Sequence, residues 1–201
     1  MLIPKRSETR QVLLFSGHMI DAEGREMPRF PPRAEGAAAA AIAAAVDHLE
    51  VGSKDLGMTE GACGGDILFA EALLARGASL ELRLPFLESE FIEKSVGFPK
   101  DTPPPDRWVE RFLAVRNSPR VVARPMPDEH ESLPPADDPY EQCNLWMLRD
   151  ALSFGADRVR LLCLWDGAGG DGAGGTAHMK QSIEQAGGRV MWLDTRELWR
   201  G

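Results

Sequence analysis

Three glycines in five positions, Gly61, Gly64 and Gly65, separate the stretch Asp55-Leu56-Gly57-Met58-Thr59 from a run in which Ile67, Phe69, Ala70, Leu73 and Leu74 recur at helical spacing. A short strand, a glycine turn and a helix start in succession restrict the chain to α/β arrangements. They also form an anion site, because N–H groups without helical partners and the positive end of the helix dipole face one spot. Asp66 is placed to cap that helix, and Arg76-Gly77 supplies its stop signal. The spacing is not G-x-G-x-x-G. The stretch therefore predicts a phosphate-bearing ligand only if other loops converge on it; the competing reading is a tight turn with nothing bound.

Two further strand ends are candidates. Gln11 to Phe15 is a compact apolar run, read as a fully buried first strand, and it stops at Ser16-Gly17-His18. Val159 to Trp165 is a second strong strand, stopping at Asp166-Gly167. After it comes a second glycine loop that ends in Gly174-Gly175-Thr176 and leads into a helix over residues 177–186. Open α/β sheets bind ligands at the carboxyl ends of such strands. This reasoning selects Ser16, Gly17, His18, Gly61, Gly64, Gly65, Asp66, Asp166, Gly174, Gly175 and Thr176 as ligand contacts. Asn144 joins them from a helix opening at Pro139-Tyr140, one turn from Tyr140. His18 reads equally well as a hydrogen-bonded structural histidine, and Asn144 as a polar surface residue.

The rest of the chain alternates in the same way. Helices are expected at 35–49, 88–96 and 107–113, a short edge strand at 120–123 and a last strand at 189–193. Leu80 to Pro85 alternates apolar and polar residues, which predicts a strand with one face less buried than the first. Residues 19–34, with three prolines among charges, read as an irregular loop from which Arg25, Arg29 and Arg33 could reach a phosphate, although solvent-facing charge is the commoner role for such residues. Residues 125–138 are rich in proline and acid and read as a mobile loop. The expectation is a single domain over 1–201, α/β and Rossmann-like, with a mostly parallel central sheet and helices on both faces.

A formal charge of -8 argues against duplex nucleic acid and anionic membranes as partners, without excluding one small anion site. Cys63, Cys143 and Cys163 have no C-x-x-C spacing, so neither a disulfide framework nor a zinc cluster is expected. A reducing cytoplasm is the simplest setting. The four histidines are scattered, and no metal site is expected. Magnesium could accompany a phosphate, held by an aspartate and water.

Taken together, Ser16-Gly17-His18, the loop Gly61-Ala62-Cys63-Gly64-Gly65-Asp66, Leu84-Pro85-Phe86, and Asp166-Gly167 with Gly174-Gly175-Thr176-Ala177-His178 resemble the SLOG superfamily, named for the Smf/DprA and Lonely Guy proteins. The likeness runs over residues 11–195 and looks nearest to SLOG-like domains of bacterial signalling systems. It implies a Rossmann-like fold, a site for nucleotides or nucleotide-derived signals, and a homodimer. Lonely Guy proteins release the base of a nucleoside 5′-monophosphate, using an arginine and the glutamate of a P-G-G-x-G-T-x-x-E loop. Here Gly175-Thr176 retains the Gly-Thr pair, while Asp171 stands for the proline, Met179 for the glutamate, and Asn144 about where the arginine is expected.

Glycosidic cleavage of that kind passes through a ribosyl cation, which methionine cannot stabilise. The leading expectation is thus a signalling or sensor module that binds a nucleotide or nucleotide-derived small molecule through its two glycine-rich strand-to-helix loops and does not cleave it by that route; the alternative is an N-glycoside hydrolase acting on a nucleoside monophosphate or NAD-like ligand. Its catalytic carboxylates would be Asp66, Glu71 or Asp166, with Glu60 also beside a glycine loop.

Overall fold

The computed structural model describes residues 6–22, 24–97, 107–126, 138–168 and 175–199. Its first strand, β1 (Val12–Gly17), shows why an unbroken apolar run was needed. Successive side chains of a strand point to opposite faces. Leu13 and Phe15 enter one hydrophobic cluster, Val12 and Leu14 the other.

The elements that follow alternate: α1 (Glu35–His48), β2 (Leu56–Thr59), α2 (Gly65–Ala75), β3 (Ser79–Leu84), α3 (Glu88–Phe91), α4 (Arg107–Arg116), β4 (Val121–Pro125), α5 (Pro139–Leu152), β5 (Val159–Trp165), α6 (Thr176–Ala186), β6 (Arg189–Asp194) and α7 (Thr195–Leu198). The strands form one six-stranded sheet in the order β4-β3-β2-β1-β5-β6. Every pairing is parallel. This is the expected α/β, Rossmann-like architecture.

Helices cover both faces. Ile42 and Val46 of α1, Ile67, Phe69 and Leu73 of α2, and Phe112 of α4 share the cluster of Leu13 and Phe15. Phe69 stacks on Phe15 with ring centroids 5.0 Å apart. Met147 and Ala151 of α5, with Met179 and Ile183 of α6, pack on the other face. Fully burying each of these larger side chains contributes about 1.5–3 kcal/mol, which holds short strands in a sheet with few loop constraints.

Several local expectations change. Within residues 19–34 a short 3-10 turn forms at Pro32–Ala34, and Phe30 stacks on Trp199 at 5.4 Å. All six residues of β3 are buried, so its alternation does not mark a less buried face. Arg83 Nη1 donates to Asp150 at 2.9 Å, Nη2 donates to Glu81, and the guanidinium lies 4.2 Å from the Trp146 ring centre. The Arg83 guanidinium inside the sheet is thus held in part by α5, a helix far away in sequence. Of the proline- and acid-rich stretch, Pro125 ends β4 and Asp138 caps α5, accepting from the Tyr140 N–H at 2.7 Å. Residues 127–137 lie outside the described residues. No helix among the described residues is long and apolar enough to cross a membrane.

Candidate functional site

The sheet order creates a crevice. From β1 the chain moves through α1 toward β2 and on to β4, whereas α5 returns it across the opposite face to β5, on the other side of β1. Connections leaving β1 and β5 therefore diverge, and their carboxyl ends form a topological switch point. Ser16, Gly17 and His18 lie at one of these ends and Asp166 at the other.

The two ends are bonded together. The His18 N–H donates to the Leu164 carbonyl at 2.9 Å, and the Asp166 N–H donates to His18 Nε2 at 3.2 Å. The same Nε2 is 3.3 Å from Asp166 Oδ1. A neutral ring accepts the amide proton there; a protonated ring turns its charge to the carboxylate. Burial would raise the Asp166 pKa, but the Ala168 N–H, His18 and Arg29 outweigh it and hold the group below the usual carboxylate value. Ser16 Oγ lies 2.7 Å from Thr176 Oγ1 in the first turn of α6. Gly175 is the N-cap of that helix, with neither a side-chain cap nor an acidic residue in the first turn. Gly174 lies outside the described residues.

The first glycine loop is arranged differently from the expectation. Gly64, not Asp66, is the N-cap of α2, and no side chain caps it. The Gly65 N–H donates to the His18 carbonyl at 3.3 Å, and the Cys63 N–H to the Ser95 carbonyl at 2.9 Å. Asp66 turns back instead to accept from Thr59 Oγ1. Burial pushes its pKa up to about 7, while Thr59 and the N–H groups of Gly61, Asp66 and Glu60 pull it down. The acceptor that occupies this helix end is thus the protein's own Asp66 carboxyl group. Gly64 is required by close approach: its φ is +104°, and a Cβ there would lie 2.5 Å from the Ile20 nitrogen.

Below Ser16 the crevice opens into a cavity of about 90 Å³ lined by Ser16, Gly17, Glu60, Asp66, Tyr140 and Asn144. Phe15, Met19 and Ala62 complete its wall. Asn144 thus faces the cleft. Tyr140, one turn before it on α5, was not selected from the sequence, although an i, i+4 pair shares a helix face. Its hydroxyl lies 2.7 Å from Ser95 Oγ. Glu60 is held well above the usual carboxylate pKa by burial and by Asp66, against the pull of the Cys143 thiol.

Other candidates are not brought here. Glu71 sits on the side of α2 that faces α4, where Arg111 Nε donates to it at 2.8 Å. Cys63 is fully buried and does not line the cavity; burial, then Asp66, push its thiol up, which leaves it unreactive. Of the three loop arginines, Arg29 lines a second cavity, of about 350 Å³, beside Asp166, Arg196 and Trp199. Arg25 Nε donates to the Met27 carbonyl at 3.1 Å. Among the described residues no group of three or more His, Cys, Asp or Glu side chains is placed to hold a metal ion. No protein-family model and no curated protein matches the chain.

Proposed function

We propose that this chain binds a nucleotide or nucleotide-derived small molecule at the β1–β5 switch point, as a SLOG-like signalling or sensor module of the cytoplasm. The observation that carries the reading is the meeting of Ser16 and Thr176, hydroxyl to hydroxyl at 2.7 Å, at the start of a helix without acid in its first turn. Unpartnered N–H groups of a first helical turn favour a phosphate. The first glycine loop supports the site through Asp66 and the cavity floor. It does not serve as a second phosphate cradle in this reading, because its carboxylate already occupies the helix end. Arg29, in the neighbouring cavity, supplies a cation for a second anionic group. Homodimerisation belongs to the same proposal and rests on the resemblance alone.

Thermal melting with nucleoside mono- and diphosphates, ADP-ribose and cyclic nucleotides tests this, because a ligand that binds only the folded state raises its stability. Mass spectrometry of small molecules released on gentle denaturation identifies what co-purifies. Absence of both a shift and a bound nucleotide contradicts the proposal.

Cleavage is a second reading, favoured by one observation: two buried carboxyl groups, Glu60 and Asp66, line one cavity, and burial holds both above the usual carboxylate pKa, as a general acid or base requires. Chromatography for free base separates the two, since a binder leaves its ligand intact.

A further inference from the structure

The switch point lies at the carboxyl ends of the strands, and a basic cluster lies at the opposite end of the sheet. The register of the β5–β6 pair sets Arg160 beside Arg189, near the start of both strands. Alternation puts Arg160 on the face of Leu162 and Arg189 on the face of Met191, and both of those residues pack in the cluster to which α1 contributes Ile42 and Val46. Two arginines thus stand side by side on one face, Arg160 half-buried and Arg189 exposed. Like charges directly paired across strands repel. Burial and then Arg189 hold the Arg160 guanidinium below its ordinary pKa, with Asp157 opposing the shift and Arg10 adding to it. Arg10 itself is held by Asp55 at 2.6 Å. Arg160 Nη1 donates to the carbonyls of Asp157 and Val159, at 2.7 and 2.9 Å, while Arg189 has no hydrogen-bond or ion-pair partner among the described residues.

The same two arginines border a cavity. With His48, the last residue of α1, they line a space of about 140 Å³. Leu49, Leu161, Val190 and Met191 form the rest of its wall, and no Asp or Glu lines it among the described residues. An anion set between two guanidinium groups turns their repulsion into attraction, and the planar fork of arginine matches a carboxylate. The apolar wall favours a hydrocarbon body over a fully hydrated ion, since inorganic phosphate would lose water against it without compensation. The volume is that of about four or five waters, which suits an acid of about four to six carbons. We propose that this cavity binds a short-chain organic carboxylate, its charged end on Arg160 and Arg189 and its hydrocarbon chain against Leu49 and Met191. The assignment does not rest on the switch-point site.

Titration of the full chain, isotope-labelled in its methionine methyl groups, tests the site by NMR, with the Met191 signal identified by its loss in Met191→Leu. Isovalerate carries both the charge and the hydrocarbon body, acetate the charge alone, and isovaleramide the body alone. Isovalerate is expected to move the Met191 signal saturably, and acetate, isovaleramide and inorganic phosphate to bind at least about tenfold more weakly. Arg189→Gln is expected to weaken isovalerate about tenfold and, because it relieves the repulsion, to melt no lower than the wild type without ligand. No saturable movement of the Met191 signal, isovaleramide or phosphate binding as tightly as isovalerate, or undiminished affinity in Arg189→Gln overturns the proposal. A lower melting temperature of ligand-free Arg189→Gln overturns it too, because Arg189 would then already have its partner within the protein.

Discussion

Ser16 and Thr176 are 160 residues apart in sequence, and their hydroxyl oxygens lie 2.7 Å apart where β1 ends and α6 begins. A neutral hydrogen bond contributes about 0.5–1.5 kcal/mol net. Urea denaturation of Ser16→Ala, Thr176→Val and the double variant is expected to give a coupling energy in that range, since each single change leaves the partner hydroxyl without its mate. Additive effects would show that the two residues do not interact in solution.

The buried carboxyls make a prediction about pH. Asp66 titrates near 3.9 in an unfolded chain, and burial raises it to about 7 in the folded one. Between those values the folded state keeps a proton that the unfolded state has released, so stability falls as pH rises, by up to about 1.4 kcal/mol per pH unit. Glu60 shifts in the same direction and adds to the fall. Glu60→Gln is therefore expected to match the wild type near pH 4, where both carboxyls are protonated, and to exceed its stability at pH 8. Denaturant midpoints across that range check the sign; a variant profile parallel to the wild type would contradict it.

Gly64 and Gly187 separate strain from collision. Both have positive φ, +104° and +88°, but a Cβ at Gly64 meets the Ile20 nitrogen at 2.5 Å, whereas one at Gly187 meets nothing within 4 Å. Gly187→Ala is expected to cost about 1–2 kcal/mol, the ordinary penalty of a left-handed residue. Gly64→Ala should cost at least twice that, because backbone on both sides must move. Equal losses in chemical denaturation would show that the loop relaxes freely around residue 64.

How legible this was in the sequence depends on where each residue's partners lie. β1 and β5 could be read because a strand buried on both faces must be apolar throughout, a condition local to the strand. Ser16, Gly17, His18 and Asp166 followed, since the ends of such strands face the switch point. Asp66 was found for another role: capping is inferred from helix position, while its actual bond to Thr59 depends on how the glycine loop folds back. Glu71 resembled Asp66 in sequence, but Arg111, on α4, holds it elsewhere. The polar residues of β3 were misleading for the same reason, as Asp150 and Trp146 reach them from α5.

That last cluster is itself testable. Glu81 and Arg83 are both buried, and removing one partner of a buried ion pair costs about 3–5 kcal/mol. Glu81→Met and Arg83→Met are each expected to lower stability by such an amount, and the double variant by less than their sum. Strict additivity in thermal or urea denaturation would mean that the charges are independently solvated.

The central claim is that β1 and α6 together hold a phosphate-bearing ligand. Calorimetric titration of AMP and ADP-ribose into the wild type and into the Ser16→Ala/Thr176→Val double variant tests it most directly. The account predicts saturable binding of at least one of them to the wild type, weakened about tenfold or more in the double variant although the protein remains folded. Binding of equal strength in both proteins, or no binding to either, would contradict it.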